Sequence, residues 1–244
     1  MPASAIRKLV PFADAAKKQG VKVYHLNLGQ PDIKSPVCAL DAVRNYSLEN
    51  VSYSHSAGLM ELRKGLVEKY YRKIGIDLTV DELIVTVAGS ESVNLALEIT
   101  CNPGDEVIVL EPFYTNYNTF AFMNGLTLKA IPTDIRNGFQ IPPIEEFEKA
   151  ITDKTKAILV CNPGNPTGTQ YSKESMLALG EIARKHDLFL LSDEVYREFC
   201  YTDEPHFSAM NIPGLEQNVV LIDSVSKRDN LCGARVGCIG SHNK

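Results

Sequence analysis

Four stretches of this chain hold residues with chemistry to offer. Lys227 closes Ser224-Val225-Ser226-Lys227, and Arg235 follows eight positions on, between Gly233 and Gly237. A lysine is usually a surface residue, but among small hydroxyl residues its amine can form an imine with a carbonyl compound. An arginine between glycines suits a close backbone approach and a guanidinium aimed inward at an anion. Asp193-Glu194-Val195-Tyr196 offers a carboxylate and a phenol, although aspartate at such a position also serves as a helix cap. In Cys161-Asn162-Pro163-Gly164-Asn165-Pro166-Thr167-Gly168, two Asn-Pro pairs make a rigid loop that can present the Asn165 amide at little entropic cost. The same dipeptides also serve simply as turns. Ala88-Gly89-Ser90-Glu91 is a small-residue turn ahead of a helix expected over 92–99, with free backbone N–H groups and a dipole suited to phosphate. Each stretch alone is ambiguous. Together they supply a helix N-terminus, Ser224, Ser226 and Arg235 for a phosphate; a carboxylate, a phenol and an amide for a heteroaromatic ring; and an amine for an imine. Neither GxxxxGK[ST] nor GxGxxG occurs, so the mononucleotide and dinucleotide readings fall.

The elements that must position these residues are short β-branched apolar runs at 83–87, 106–110, 126–131, 156–160, 188–192, 219–223 and 236–240. Near-continuous apolarity predicts strands buried on both faces, as in parallel sheets. Between them lie amphipathic stretches. Leu59, Leu62, Leu66, Val67 and Tyr70 share one helical face, with Glu61, Arg63, Lys64 and Glu68 mostly on the other. A second helix is expected over 173–185. Alternating strands and helices predict an α/β fold with a mostly parallel seven-stranded sheet and helices on both faces. Ligands in such sheets sit beyond the carboxyl ends of the strands, where these four stretches begin. Residues 1–45 read as an arm with one helix and the loop Leu28-Gly29-Gln30-Pro31-Asp32, and 46–244 as the main domain.

The bulk properties exclude other classes. Of 244 residues, 44% are hydrophobic and 23% charged, an ordinary globular balance. A net charge of -5 leaves no footprint for nucleic acid or an anionic membrane. No apolar run is long enough to span a bilayer, and the N-terminus lacks the layout of a signal peptide. The six cysteines form no CxxC pair, which reads as reduced, buried thiols in a cytoplasmic protein. The five histidines are scattered and suggest no metal site.

In order and spacing, Asn165-Pro166-Thr167-Gly168, Asp193-Glu194-Val195-Tyr196 and Ser224-x-Ser-Lys227 with Arg235 resemble the class I/II aminotransferases among fold-type I pyridoxal-phosphate enzymes, the aspartate-aminotransferase-like members in particular. The resemblance runs from Asn27 to Gly237 and implies pyridoxal 5'-phosphate as cofactor. It implies that Lys227 holds the cofactor as an internal aldimine and then moves the proton during amino-group transfer between an amino acid and a 2-oxo acid. Asp193 would pair with the protonated pyridine nitrogen; at ~4 Å and an effective dielectric near 20 such a pair is worth roughly 4 kcal/mol. Tyr196 and Asn165 would hydrogen-bond the ring oxygen, and Tyr114 would stack on the ring. Gly89, Ser90, Glu91, Ser224 and Arg235, with Ser226 in addition, would surround the phosphate. Gly29 and Asn165 would face the substrate. Tyr53 would reach into the neighbouring subunit's phosphate site, implying a homodimer.

The family pattern also marks departures. An aromatic commonly stands two positions past the lysine; here that residue is Asp229. The smaller carboxyl-terminal domain, with the arginine that grips the substrate carboxylate, is expected to be absent from this chain. Two alternatives therefore stand beside amino transfer: another reaction of the same cofactor, such as a lyase or decarboxylase, or a truncated non-catalytic cofactor-binding module.

Overall fold

The apolar runs form seven strands, each ending within one residue of its sequence expectation: β1 (Leu83–Thr86), β2 (Glu106–Glu111), β3 (Thr127–Pro132), β4 (Thr155–Cys161), β5 (Phe189–Asp193), β6 (Val219–Ser224) and β7 (Gly237–Gly240). The structure is a computed structural model describing residues 7–27, 29–47 and 49–243. Leu28, at the head of the expected arm loop, lies outside the described residues.

One sheet contains all seven strands in the order β1-β7-β6-β5-β4-β2-β3. Pairing is parallel from β6 through β3, whereas β7 runs antiparallel to both β1 and β6. This reversal matters for the site. A strand running against its neighbours begins where they end, so Gly237 pairs with Thr86 at the end of β1 and Ser224 at the end of β6. The segment leading into β7, Arg235 included, is thereby brought to the carboxyl edge of the sheet.

Helices cover both faces, as the alternation of inward side chains requires. Along β2, Ile108 and Leu110 join one buried cluster and Val107 and Val109 the other. The first cluster takes in Met176, Leu179 and Ile182 of α7 (Lys173–Lys185) and Phe147 of α6 (Ile144–Ala150). The second takes in Val93, Ala96 and Leu97 of α4 (Ala88–Thr100) with Tyr117 and Ala121 of α5 (Asn116–Met123). At the start of α7, the Ser172 hydroxyl accepts from the Ser175 N–H at 3.2 Å, capping the helix.

Four expectations need correction. The arm holds two helices, α1 (Val10–Lys18) and α2 (Val37–Arg44), neither with a buried residue. The amphipathic run after residue 59 is not one regular helix. It begins as α3 (Met60–Lys64), passes through a π-helical segment Gly65–Tyr70 and ends in a 3-10 turn Tyr71–Ile74. Arg63, expected on the polar face, points inward and donates to the Val80 carbonyl at 2.8 Å, while Leu59 is exposed. The α4 helix starts at Ala88 rather than Ser92, so Gly89, Ser90 and Glu91 form its first turn. Finally, all six cysteines are free but not all buried: Cys38, on the arm helix α2, is exposed and Cys238 is the fully buried one.

Candidate functional site

Asp193 is the last residue of β5, with its side chain buried. Tyr117 of α5 donates its hydroxyl to Asp193 Oδ2 at 2.7 Å, and the Val195 N–H approaches Oδ1 at 3.3 Å. Burial pushes the Asp193 carboxyl up to about 6; these two hydrogen bonds oppose the shift, and nearby Asp223 and Glu194 add to it. Burial and the Asp193 charge hold the Tyr117 hydroxyl far above its usual range, so it stays a donor. Among the described residues no cation pairs with Asp193. A buried carboxylate served only by neutral donors suits a cationic ring nitrogen from outside the chain.

Beside it, Asn165 Nδ2 donates to the Tyr196 hydroxyl at 3.4 Å. Desolvation raises the Tyr196 phenol, with the charges at Cys161 and Asp193 adding to it, so this group too remains a proton donor. The loop that presents Asn165 closes on itself. The Gly164 N–H donates to the Thr169 carbonyl at 2.8 Å and the Gly168 N–H to the Gly164 carbonyl at 2.8 Å. Buried Asn162 braces the loop by accepting from the Tyr171 N–H at 2.9 Å. A Cβ on Gly164 would sit 2.6 Å from Thr167 Oγ1, so the turn has no room for a side chain there.

Lys227 stands on α8 (Val225–Arg228), the single turn that continues β6. The Ser224 side chain caps that turn by accepting from the Ser226 N–H at 3.1 Å, and it donates to the Val236 carbonyl at 3.0 Å. Lys227 Nζ donates to the Gly29 carbonyl at 2.8 Å, tying the arm loop over the site. Gly29 also lies next to the Tyr196 hydroxyl, 4.0 Å from where its Cβ would be. Arm and sheet edge are joined again where Ser35 donates to the Asn230 carbonyl at 2.7 Å and Asn230 donates to the Ile33 carbonyl.

The fourth part is a backbone cradle. A Cβ on Gly237 would lie 2.5 Å from the Ala88 carbonyl carbon and 2.8 Å from the Gly89 nitrogen. Only glycine lets β7 approach the first turn of α4 this closely. Gly89 in turn faces Ser224 and Val195, 3.6 and 3.5 Å from its Cβ position. Ala88 and Arg235 both hold left-handed backbones, φ 62 and φ 54. Each costs about 1–2 kcal/mol, which the surrounding packing must offset. The N-terminus of a thirteen-residue helix, with Ser90 half-buried in its first turn and Ser224 and Ser226 opposite, is a setting for an anion.

Lys227, Gly29, Tyr196 and Asn165 are thus linked by contacts, Gly89 meets Ser224 and Val195 separately, and Asp193 ends the strand that leads to Val195 and Tyr196. Other sequence candidates sit differently. Glu91 is exposed, and its carboxylate accepts from the Val87 N–H, which makes it a helix cap. Arg235 reaches the right edge, but its guanidinium is exposed and donates to the Cys232 carbonyl at 2.9 Å instead of aiming inward. The left-handed backbone at Arg235 accompanies that outward course. Tyr114 is half-buried, edge-on to Tyr117 with ring centres 5.5 Å apart, and accepts from Asn116 Nδ2 at 2.7 Å. Tyr53 is fully exposed, away from the cluster in this chain. Tyr117 was not among the sequence candidates; its only sequence signal is a place one helical turn beyond Tyr114.

The family model for aminotransferase class I and II matches residues 21–244. The putative aminotransferase YugH of Bacillus subtilis (strain 168) is 38% identical over 237 residues, covering 96% of this chain and 60% of its own length. Aspartate aminotransferase of Thermotoga maritima is 33% identical over 245 residues, 100% of this chain and 64% of its own. The crystal structure of that Thermotoga maritima enzyme superposes with a TM-score of 0.92 at 33% identity, over 99% of this chain and 64% of that one. The chain therefore spans about 60% of the length of such relatives. With the family model matched from residue 21 to the last residue and the whole sheet shared with a solved relative, this chain belongs to the aminotransferase class I and II family.

Proposed function

We propose that this chain is the cofactor-binding part of an aminotransferase that uses pyridoxal 5'-phosphate to move an amino group between an amino acid and a 2-oxo acid. The observation that carries the reading is Asp193: a carboxylate buried at a strand end, supported by a phenol and paired with no cation among the described residues. When bound, the cofactor supplies a cationic heteroaromatic ring that accepts electron density from the substrate.

The chain's own residues do the rest. Lys227 would hold the cofactor through its Nζ. The same Nζ would serve as the base that takes a proton from the substrate's α-carbon and later gives it back. Asp193 holds the proton on the ring nitrogen, with Tyr117 fixing the carboxylate's orientation. Tyr196 and Asn165 bind the ring oxygen as donors, Tyr114 stacks on the ring, and Gly89, Ser90, Ser224 and Ser226 hold the phosphate at the α4 N-terminus. Gly29 and Asn165 border the substrate side, where the Gly29 carbonyl accepts from Lys227 Nζ. Arg235 joins the phosphate set if its exposed side chain swings from the Cys232 carbonyl. We further propose a cytoplasmic homodimer in which Tyr53 completes the neighbour's phosphate site, in keeping with its full exposure here and with six unpaired cysteines.

The test is direct. Pyridoxal phosphate added to the purified chain gives a visible absorption band, borohydride fixes it, and peptide mapping finds the label on Lys227. Labelling at any other lysine, or none, overturns the reading.

A further inference from the structure

Lys227 stands on a turn that cannot hold itself. The α8 helix is four residues long, and an isolated single turn is unstable in water because nucleation costs more than one hydrogen bond returns. Inside it, the Asp229 N–H donates to the Val225 carbonyl at 3.3 Å and the Asn230 N–H to the Lys227 carbonyl at 3.2 Å, both long. Something outside must fix the direction in which Lys227 leaves the turn.

Arg228, the next residue, is placed to do so. Successive residues on a helical turn point about 100° apart, so Arg228 leaves away from the crevice while Lys227 faces Gly29. Its side chain is only 7% exposed, and Nη1 lies 2.7 Å from both oxygens of Asp223, which is itself fully buried on β6. The guanidinium lies 4.1 Å over the Tyr70 ring, and that ring packs edge-on against Tyr71. Tyr71 donates its hydroxyl to Asp223 Oδ2 at 2.7 Å, and the Ser224 N–H donates to Oδ1 at 2.7 Å. The carboxylate is thus saturated and immobile, and Arg228 ties the turn to it.

We infer that Arg228 is a positioning residue: its pairing with Asp223 and stacking on Tyr70 lock the one-turn helix so that Lys227 Nζ meets the cofactor's aldehyde carbon. The inference rests on the proposed role of Lys227 and deepens it. A lysine in place of Arg228 keeps the charge but not the guanidinium that lies over the Tyr70 ring.

Two variants, Arg228→Lys and Tyr70→Leu, test it with two readouts. The first is amide hydrogen exchange in the chain without cofactor, read on the peptide covering 225–230. Arg228→Lys should speed exchange there about tenfold, with the β4 and β5 peptides unchanged. Tyr70→Leu, which removes the stack and leaves the pair, should give a smaller change of the same sign. The second is the rate at which pyridoxal phosphate is captured at Lys227, which should fall about tenfold in Arg228→Lys, as misplacing a reacting group does. Unchanged exchange in 225–230, or faster exchange spread evenly over the chain, overturns the inference. So does faster local exchange with capture at the normal rate. If the unsubstituted chain captures nothing at Lys227, the functional reading fails and the inference falls with it, whatever exchange shows. Should Arg228→Lys fail to fold, Tyr70→Leu decides by the same two readouts.

Discussion

Two buried aspartates stand at the ends of neighbouring strands, and their surroundings could hardly differ more. Asp193 on β5 pairs in register with Ile222 on β6, so Asp223, one residue on, projects from the opposite face. Asp193 faces the crevice with a hydroxyl and a backbone N–H for company. Asp223 lies behind the sheet with Arg228 at 2.7 Å, Arg197 at 3.7 Å and the Tyr71 hydroxyl at 2.7 Å. One charge is neutralised within the chain and the other is left for something to neutralise. Position at a strand end is common to both, so position alone does not mark a functional carboxylate. Among the described residues, the lack of a paired cation is what sets Asp193 apart from Asp223.

The largest expected effect lies on the paired side. Asp223→Asn leaves two buried guanidinium groups short of a partner and should cost about 3–5 kcal/mol in urea unfolding. A loss below about 1 kcal/mol would show that the cluster behind the sheet adds little, and the contrast would lose one side.

Asp193→Asn should do the opposite. The carboxyl titrates at about 6 in the folded chain against an ordinary value of 3.8, so folding binds its proton more tightly. That contribution to stability is full below the ordinary value and is lost as pH rises through 6. On the order of 3 kcal/mol separates the two limits. Without cofactor, Asp193→Asn should therefore be more stable than the unsubstituted chain at pH 8 by about 2–3 kcal/mol, with the gap closing below pH 4. Equal pH dependence in the two proteins, followed by thermal unfolding, would mean that Asp193 carries no uncompensated charge.

The smallest effect sharpens the same point. Tyr117→Phe removes the donor to Asp193 Oδ2 and should cost about 1–2 kcal/mol at pH 8. The Asp193 titration, followed by carboxyl carbon NMR, should move above 6. A downward move would contradict the hydrogen-bond assignment.

How far the sequence reaches follows from the range of each interaction. The strands were legible because continuous apolarity is a local signal; Asp193 directly follows one such run, and Lys227 stands four residues past another. Tyr117 was not, since its meaning depends on meeting a residue 76 positions away. The contact between Lys227 and Gly29 bridges 198 positions, though family spacing drew attention to both residues. Arg63 turns inward to the Val80 carbonyl, 17 positions away, and no residue pattern announces the π-helical segment that leads on to buried Tyr71. One of the arm's two helices escaped notice although α2 repeats Val37, Leu40 and Val43 at helical spacing; all three are exposed here.

The measurement closest to the central claim is the protonation state of the cofactor's ring nitrogen. Pyridoxal phosphate labelled with nitrogen-15 in the ring, bound to this chain at pH 8, should show the shift of a protonated pyridine. In Asp193→Asn that shift should move to the unprotonated value while borohydride still labels Lys227. An unprotonated nitrogen in the unsubstituted chain, or a protonated one that survives Asp193→Asn, would contradict the claim that Asp193 waits for a cation.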